Sequence, residues 1–347
     1  MKAFFLILIL MLSIMCLLPS SLMGQQTPPP PVNPKTLSET ESAELAMASR
    51  DSARVVQLYK EGKYDEALPL AQRVLITREK ILGPDDGRTA GALINLAELY
   101  LAKRNYSETE KLYGRLLSLY EKTFGSDAPQ TAMIVDSLAL TDYFKGDFKS
   151  AESLYVRAVS MREHTLGAEH PDLGQAVFKL AEFYRSRRNY TKAEPLYLRA
   201  IAINDRALAK DDPVATHVIE RYECFVFESD GVSAGQKKLH QFHEARKALS
   251  QPPPADHGEV LNGRAISLPA PGYPEEARSI RASGVVLVQV TIDTGGKVID
   301  AKVVCGHPVF AKPSVEAAYR ARFTPTKLSG VPVQVNGLII YNFVLNN

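Results

Sequence analysis

Hydrophobic positions in the first two thirds of the chain recur at helical spacing, in segments that repeat every 42 residues. Within one repeat, Leu96, Ala97 and Tyr100 fall on one helix face, and Tyr106 and Tyr113 fall on another after a predicted turn. Each repeat is therefore predicted to be a pair of helices, and a fixed period of about 20 to 50 residues is typical of a solenoid. The turn sequences start at Gly62, Arg104, Gly146 and Arg188 and read GKYDEA, RNYSET, GDFKSA and RNYTKA.

The alternation of Leu-Ala-x-x-Tyr with Tyr-x-x-Ala-x-x-x-Tyr-x-x-Ala closely resembles the tetratricopeptide repeat, in the 42-residue variety found in kinesin light chains. The resemblance covers residues 44–230 and weakens at both ends, where Arg54 replaces Leu and Tyr222-Glu223 replaces Leu-Ala. Such ends are expected of terminal caps, because a cap faces solvent on one side. The resemblance implies an all-α tetratricopeptide solenoid whose repeated Tyr, Leu and Ala side chains form the core.

In that family the first helix of each pair lines a concave groove, and the residue before Leu-Ala points into it. The resemblance therefore implies a groove for protein or peptide ligands, with hydrogen-bond donors concentrated in the later repeats. Lys179 and Arg221 would hold a peptide carboxylate by charge-assisted hydrogen bonds, while a solvated helix face explains the two residues equally well. The predicted groove residues are Asn95, Glu98, Ser137, Lys179, Glu182 and Arg221.

The helical period ends after Asp230, and the pattern that follows predicts a second domain over residues 263–347. Residues 231–262 join a polar helix to Gln251-Pro252-Pro253-Pro254, a linker by composition. Asp293-Thr294-Gly295-Gly296 predicts a tight turn between two strands. In chain order the predicted elements are a short helix at 274–280, strands at 284–292 and 297–304, a helix at 314–322 and a long final strand at 331–345.

The order helix, hairpin, helix, strand resembles the C-terminal domain of TonB, the periplasmic energy transducer, over residues 268–345. The resemblance implies a small α+β module, in which an edge strand pairs with a short segment of an outer-membrane receptor. The alternative is an interior or self-pairing strand. The matching residues are Tyr273-Pro274, Ala277-Arg278, Gly284, Val286, Ile292, Gly296, Val298, Asp300, Ala317-Ala318, Phe323, Pro325, Gly330, Pro332-Val333 and Phe343, and the implied edge is Gln334, Val335, Asn336, Gly337, Leu338, Ile339 and Ile340.

The N-terminal residues 1–24 predict an export signal, because Lys2 is followed by an uncharged apolar run and by small residues before Gln25. An uncleaved membrane anchor is the alternative, since the run is long enough to cross a bilayer. The same residues contain no histidine, whereas the transducer's membrane helix carries a Ser-x-x-x-His motif. Residues 25–43 form a proline-rich linker, with a docking site for a proline-reading domain as the alternative.

Composition and charge argue against a disordered chain and against a nucleic-acid-binding protein. Apolar residues make up 45% and charged residues 23% of the 347 residues, as in an ordinary folded protein. Lys and Arg number 41 against 39 Asp and Glu, so a phosphate-binding surface for nucleic acid is not expected. Three cysteines do not make a disulfide scaffold, and Cys224 and Cys305 lie far apart in the sequence.

Candidate chemistry is sparse. The chain has no phosphate-binding loop, dinucleotide fingerprint or nucleophile elbow, so neither an enzyme nor a cofactor is predicted. His240 and His243 have the spacing of two metal ligands on one helix face, and a further ligand is missing nearby.

These patterns predict an adaptor in the periplasm or cell envelope that binds one protein through the groove and another through the TonB-like module. Contact with the membrane is expected only through the N-terminal segment, if it stays uncleaved. The alternatives are a membrane-anchored component of TonB-type transport across the outer membrane and a metal-binding protein built on His240 and His243.

Overall fold

The computed structural model describes residues 37–209, 212–250, 260–261, 264–328 and 330–345. They form two compact units that divide between Leu208 and Ala209. The predicted leader and the proline run at 251–254 lie outside the described residues. Among the helices that are described, none has the length and hydropathy needed to cross a lipid bilayer.

The first unit is a series of antiparallel helix pairs, as the repeat predicts. Successive helices contact each other along the chain, so each helix packs mainly on its sequence neighbours. Its helices are α1 (Glu39–Lys60), α2 (Tyr64–Leu82), α3 (Gly87–Ala102), α4 (Tyr106–Phe124), α5 (Pro129–Lys145), α6 (Phe148–Leu166), α7 (Pro171–Ser186) and α8 (Tyr190–Ala207).

The repeated residues explain where the helices begin. Asn105, Asp147 and Asn189 precede α4, α6 and α8, and each side-chain oxygen accepts a hydrogen bond from the backbone N–H three residues later. Pro129 and Pro171 lie in the first turn of α5 and α7, where a missing donor costs nothing. The polar turn residues therefore mark where α4, α6 and α8 begin.

The core of the first unit consists of the repeated aromatic and small residues. Tyr113 and Tyr197, one from α4 and one from α8, are both fully buried. Alanines that recur in the sequence pattern, such as Ala97, Ala139 and Ala181, are also fully buried, which allows neighbouring helices to approach closely. Most of the predicted core positions are therefore buried in the structure, while Tyr100, Tyr106 and Tyr190 are only half-buried.

The second unit begins with α9 (Pro213–Ser250), which consists of two helices because Gly231 between them has non-helical backbone angles (φ 75°, ψ −179°). The elements after α9 are β1 (Val260–Leu261), β2 (Ala265–Ser267), α10 (Glu275–Ser279), β3 (Gly284–Ile292), β4 (Val298–Cys305), a 3-10 turn (Pro308–Phe310), α11 (Ala311–Arg320), β5 (Arg322–Phe323), β6 (Lys327–Leu328), β7 (Val331–Pro332) and β8 (Val335–Phe343). The main sheet has the strand order β4-β3-β8, and all its strand pairs are antiparallel.

The two faces of the main sheet pack against different elements of the unit. Val286, Val288 and Val290 of β3 pack in a core with Ala317 and Ala318 of α11. The alternate residue Leu287 points to the opposite face and is also fully buried. Helix α9 contacts β3 and β4 of the same unit, and Lys302 of β4 forms an ion pair with Glu220 of α9.

Two predicted elements differ from the structure. The long final strand is interrupted at Val333-Gln334, because Val331 and Pro332 pair with β6 in a small hairpin while β8 pairs with β3. Helix α11 begins at Ala311, three residues before the predicted start, since Pro313 is tolerated in the first helical turn. It ends at Arg320 because Ala321 is extended (φ −64°, ψ 149°).

Candidate functional site

The predicted groove residues of the first unit lie at equivalent positions of α3, α5 and α7. Asn95 is buried, and its Nδ2 donates a hydrogen bond to Ser52 Oγ on α1 over 3.4 Å. Ser137 is also buried, and its Oγ donates to Met133 O over 3.2 Å. The side chain of Lys179 is 36% exposed, which leaves it accessible to a ligand.

Glu98 and Glu182, which were predicted one turn further along the groove, are buried beneath hydrogen-bonded tyrosines. Tyr113 Oη donates to Glu98 Oε1 over 2.6 Å, and Tyr197 Oη makes the equivalent bond to Glu182 Oε1. Burial raises the pKa of Glu98, although the hydrogen bond from Tyr113 opposes the shift. Glu182 also forms a buried ion pair with Arg185 over 3.0 Å. These contacts indicate that Glu98 and Glu182 contribute to packing. A role of either residue in ligand binding stays a prediction.

Lys179 belongs to a cluster of three charges centred on the buried Asp136. Asp136 Oδ2 accepts hydrogen bonds from Lys179 Nζ and Arg162 Nη2, each over 2.8 Å. Burial would raise the pKa of Asp136, but the charges of Lys179 and Arg162 outweigh it and hold the pKa below its ordinary value. The cluster carries two cations and one carboxylate and therefore has a net positive charge.

The sequence prediction did not include Asp136 and Arg162, although the repeat contained a signal for Asp136. Asp136 stands where the neighbouring copies have Ile94 and Phe178, whereas the position of Arg162 holds Arg78, Tyr120 and Asn204 in the other copies and gives no such signal. A charged residue at a position that is apolar in other repeats indicates a buried ion pair or a site, because an unpaired buried charge is costly.

Arg221 and the two histidines lie on α9, in the second unit. Arg221 is half-buried. His240 is exposed, while His243 Nε2 lies 3.0 Å from Glu223 Oε1. Within the ranges that the structure describes, no group of three or more His, Cys, Asp or Glu side chains is arranged to hold a metal ion.

The predicted strand-addition edge lies on β8, and the structure places this strand at the margin of the main sheet. Residues Val335–Phe343 pair with β3 on one side, from Val335 opposite Ile292 to Phe343 opposite Gly284. Among the described residues no strand pairs with the other side of β8. Of the predicted edge, Gln334 precedes the strand and the other six residues belong to it.

A cavity of about 300 Å³ opens beside the N-terminal half of β8. Gly337 lies opposite Val290, and its missing side chain leaves room above Val290 and Ile292. A Cβ built on Gly337 would lie 3.7 Å from both neighbours, an ordinary contact distance. Both apolar and polar groups face the cavity, and its lining residues are Val290, Ile292, Phe323, Thr326, Val335, Asn336, Gly337, Leu338 and Ile339.

Several solved structures resemble part of the chain. Nearly identical TPR-like repeats of a putative kinesin light chain from Podosopora anserina are 20% identical, with a TM-score of 0.47, over 63% of this chain and 100% of the other. BtubC (BKLC) from P. vanneervenii is 18% identical, with a TM-score of 0.46, over 65% of this chain and 99% of its own. The apo form of RapI is 15% identical, with a TM-score of 0.45, over 62% of this chain and 73% of its own.

A comparison with curated proteins found no match. Family models match both predicted domains: the tetratricopeptide repeat matches residues 53–122, 88–164 and 138–206, and the model described as Gram-negative bacterial TonB protein C-terminal matches residues 269–345. The chain therefore carries tetratricopeptide repeats, followed by a domain of the TonB C-terminal family.

Proposed function

We propose that the protein is an exported adaptor of the bacterial cell envelope, which binds one protein partner along the tetratricopeptide groove and a second at the β8 edge. Tetratricopeptide repeats suggest protein interaction, and the TonB C-terminal domain suggests a TonB-like role in a Gram-negative envelope. The edge of β8, which among the described residues pairs with β3 on one side only and lies beside a cavity, is the observation that carries the proposal.

At the β8 edge, an extended peptide would add a fourth strand to the main sheet. A strand that pairs on one side only presents backbone N–H and C=O groups on its other side, and these groups bind any extended chain. The cavity supplies the selectivity that backbone pairing lacks, since it accepts an apolar side chain of the added strand. The expected ligand is therefore an extended segment with an apolar residue opposite Gly337.

In the groove, Lys179 is the residue that we expect to contact the ligand. Asp136 fixes the position of its ammonium group, and Arg162 binds the same carboxylate oxygen, Oδ2. The net positive charge favours an acidic side chain or a C-terminal carboxylate, which would accept a charge-assisted hydrogen bond from Lys179 Nζ. Asn95 and Ser137 would shape the wall of the groove.

Export follows from the leader, residues 1–24, and the mature chain would begin at Gln25. The second candidate, a membrane-anchored component of TonB-type transport, is favoured by the same open edge of β8. The mature N terminus separates the two: N-terminal sequencing of the purified protein that yields Gln25 supports the adaptor and contradicts the anchored component.

Affinity capture with paired variants tests the adaptor. Gly337→Leu fills the cavity without a backbone clash, and Asn342→Leu on the exposed part of β8 is its control. Lys179→Gln removes the groove cation, and Lys122→Gln on α4, 71% exposed, is its control. Quantitative mass spectrometry then compares the proteins captured from an envelope extract by the wild type and by each variant.

An adaptor is expected to lose one set of partners with Gly337→Leu and a different set with Lys179→Gln, each by about tenfold, while both controls match the wild type. Loss of a single common set with both variants would mean one ligand rather than two. Unchanged capture with both variants would contradict the proposed surfaces.

A further inference from the structure

Cys224 and Cys305, 81 residues apart in the chain, lie together in the second unit. Cys224 is on α9 and is buried, and its Sγ donates a hydrogen bond to Val304 O over 3.4 Å. Cys305 is the next residue along β4, and it is half-buried. Both cysteines are thiols in the structure.

The strand pairing places the Cys305 side chain on the face of the sheet that α9 covers. Cys305 lies directly opposite Leu287, and residues that face each other across antiparallel strands share a face of the sheet. By the same rule Lys302 shares a face with its partner Gln289, and Lys302 forms an ion pair with Glu220 of α9. Leu287 and Gln289 are two residues apart on β3 and therefore share a face of the sheet. Cys305 and Lys302 point to that same face, which α9 covers.

A bulge in β4 brings the two cysteines close. The pairs Leu287–Cys305 and Val288–Val303 leave Val304 without a residue opposite it, and the Val304 carbonyl is the group that accepts from Cys224. Standard peptide dimensions put the Cys305 Cα about 3 Å from that oxygen, so Cys224 Sγ lies within about 6 Å of this Cα. A disulfide requires the two Cα atoms to lie about 4.4 to 6.8 Å apart, and the contact of Cys224 Sγ with the backbone next to Cys305 brings the pair towards that range.

We propose that Cys224 and Cys305 form an intramolecular disulfide, which ties α9 to the end of β4. The bond crosses between two elements that the sequence separates with a proline-rich linker, so it holds α9 on the sheet whatever the linker does. In the cell the bond requires the oxidising compartment implied by the proposed export, and to that extent it rests on the proposed function.

The oxidation is a thiol–disulfide exchange with a disulfide donor. The thiolate of Cys305, the more exposed of the two, attacks a sulfur of the donor, forms a mixed disulfide and releases one donor thiolate. Cys224 loses its proton to solvent and attacks Cys305 Sγ, which breaks the mixed disulfide and releases the second donor thiolate. The two cysteines lose two protons and two electrons, and the donor gains them as it becomes two thiols.

The test uses the purified full-length chain, reduced and then placed in a buffer of oxidised and reduced glutathione. Peptide mass mapping is expected to find Cys224 linked to Cys305, with a loss of two hydrogen atoms. This readout is independent of Cys16, the third cysteine of the chain, which lies in the predicted leader. In Cys224→Ala and Cys224→Ser the second step cannot occur, so Cys305 is expected to retain glutathione. Oxidation should also raise the Tm of the wild type, by about 5 to 10 °C, and not that of either variant.

Stable glutathione on Cys305 of the wild type, or two unreacted thiols, would overturn the disulfide and leave the adaptor proposal intact. Alkylation of intact cells before lysis tests whether the chain is exported. A bond that forms in the purified protein but is absent from the alkylated cells would contradict export, because an exported chain meets the donor that the cytoplasm lacks.

Discussion

Asp136 and Asp142 are both buried on α5, yet the pKa values of their carboxyl groups shift in opposite directions. Lys179 and Arg162 overcome the effect of burial at Asp136 and lower its pKa. At Asp142 burial acts together with the nearby carboxylates of Glu110 and Asp147, and it raises the pKa to about 6, with only Lys145 opposing the shift. Partners thus decide which buried carboxylate is charged at neutral pH.

The raised pKa of Asp142 predicts a pH-dependent gain from Asp142→Asn. The folded state binds this proton more tightly than the unfolded state, so the group's contribution to stability is lost as pH rises from the ordinary aspartate pKa of 3.8 through the folded-state pKa of about 6. We expect the variant to unfold with a free energy about 1–2 kcal/mol higher at about pH 7 and nearly equal at about pH 4. Urea unfolding followed by circular dichroism at both pH values measures the difference.

Asp127→Asn is the matched control for that prediction, because Asp127 lies in the loop between α4 and α5 and its side chain is 59% exposed. The control is expected to leave the free energy of unfolding unchanged at both pH values. A gain from Asp142→Asn that is equally large at acidic and at neutral pH would show that titration is not its cause.

Single residues of the site were harder to predict than the repeat that carries them. The sequence places Asn95, Ser137 and Lys179 at equivalent positions, and the structure agrees with those positions. The sequence does not reveal that Tyr113 buries Glu98, because their hydrogen bond joins two helices whose side chains meet only after packing. Asp136 departs from the apolar pattern and was detectable, but its partners Arg162 and Lys179 come from other helices.

At the scale of the helices, the repeat also shows a missing cap. Lys63 precedes α2 with the same backbone angles (φ −87°, ψ 59°) that Asn105 has before α4 (φ −86°, ψ 71°). Asn105 accepts from the N–H of Glu108, whereas Lys63 forms no side-chain cap bond. The first helix pair therefore leaves a helix end less stabilised than its equivalents.

Lys63→Asn is expected to stabilise the first unit by about 1 kcal/mol, because asparagine caps helices well and the backbone already has the geometry that the other copies use. The exposed ion pair that is lost, Lys63 with Glu61, contributes little. Urea unfolding measures the gain, and Asn105→Ala should lose a similar amount. A Lys63→Asn variant no more stable than Lys63→Ala would contradict the capping argument.

Elements defined by local patterns were predicted more accurately than elements defined by pairing. Strand β3 starts at Gly284 and ends at Ile292, as the apolar run predicts. The final run at 331–345 is rich in β-branched and apolar residues, but Pro332 pairs in a hairpin with β6 while Val335 starts the pairing with β3. Which of several partners a β-rich segment chooses is a long-range contact, and composition alone does not specify it.

At the scale of the whole molecule, the sequence and the structure draw different boundaries. The repeat pattern predicts one domain over residues 44–230, whereas residues from Ala209 onward, including α9, belong to the compact unit of the main sheet. The family model of the TonB C-terminal domain begins at residue 269 and contains no part of α9. The predicted boundary therefore stays a prediction that experiment can decide.

Two fragments test whether α9 is an integral part of the second unit. Leu287 is fully buried on the face that α9 covers, so a fragment of residues 260–347 exposes it, while a fragment of residues 209–347 does not. We expect the shorter fragment to unfold with a free energy about 2–4 kcal/mol lower, since burying a leucine alone stabilises by about 2 kcal/mol. Urea unfolding followed by circular dichroism suits both fragments, as the chain has no tryptophan.

Leu287→Ala assigns the difference to this contact. In the longer fragment it should cost about 2–4 kcal/mol, because it leaves a cavity under α9, whereas in the shorter fragment the same side chain is exposed and its removal should cost less than about 1 kcal/mol. Equal losses in both fragments would mean that other residues bury Leu287. If the two unsubstituted fragments were equally stable, α9 would not stabilise the sheet. The boundary predicted from the repeat, which assigns residues up to 230 to the first domain, would then be preferred.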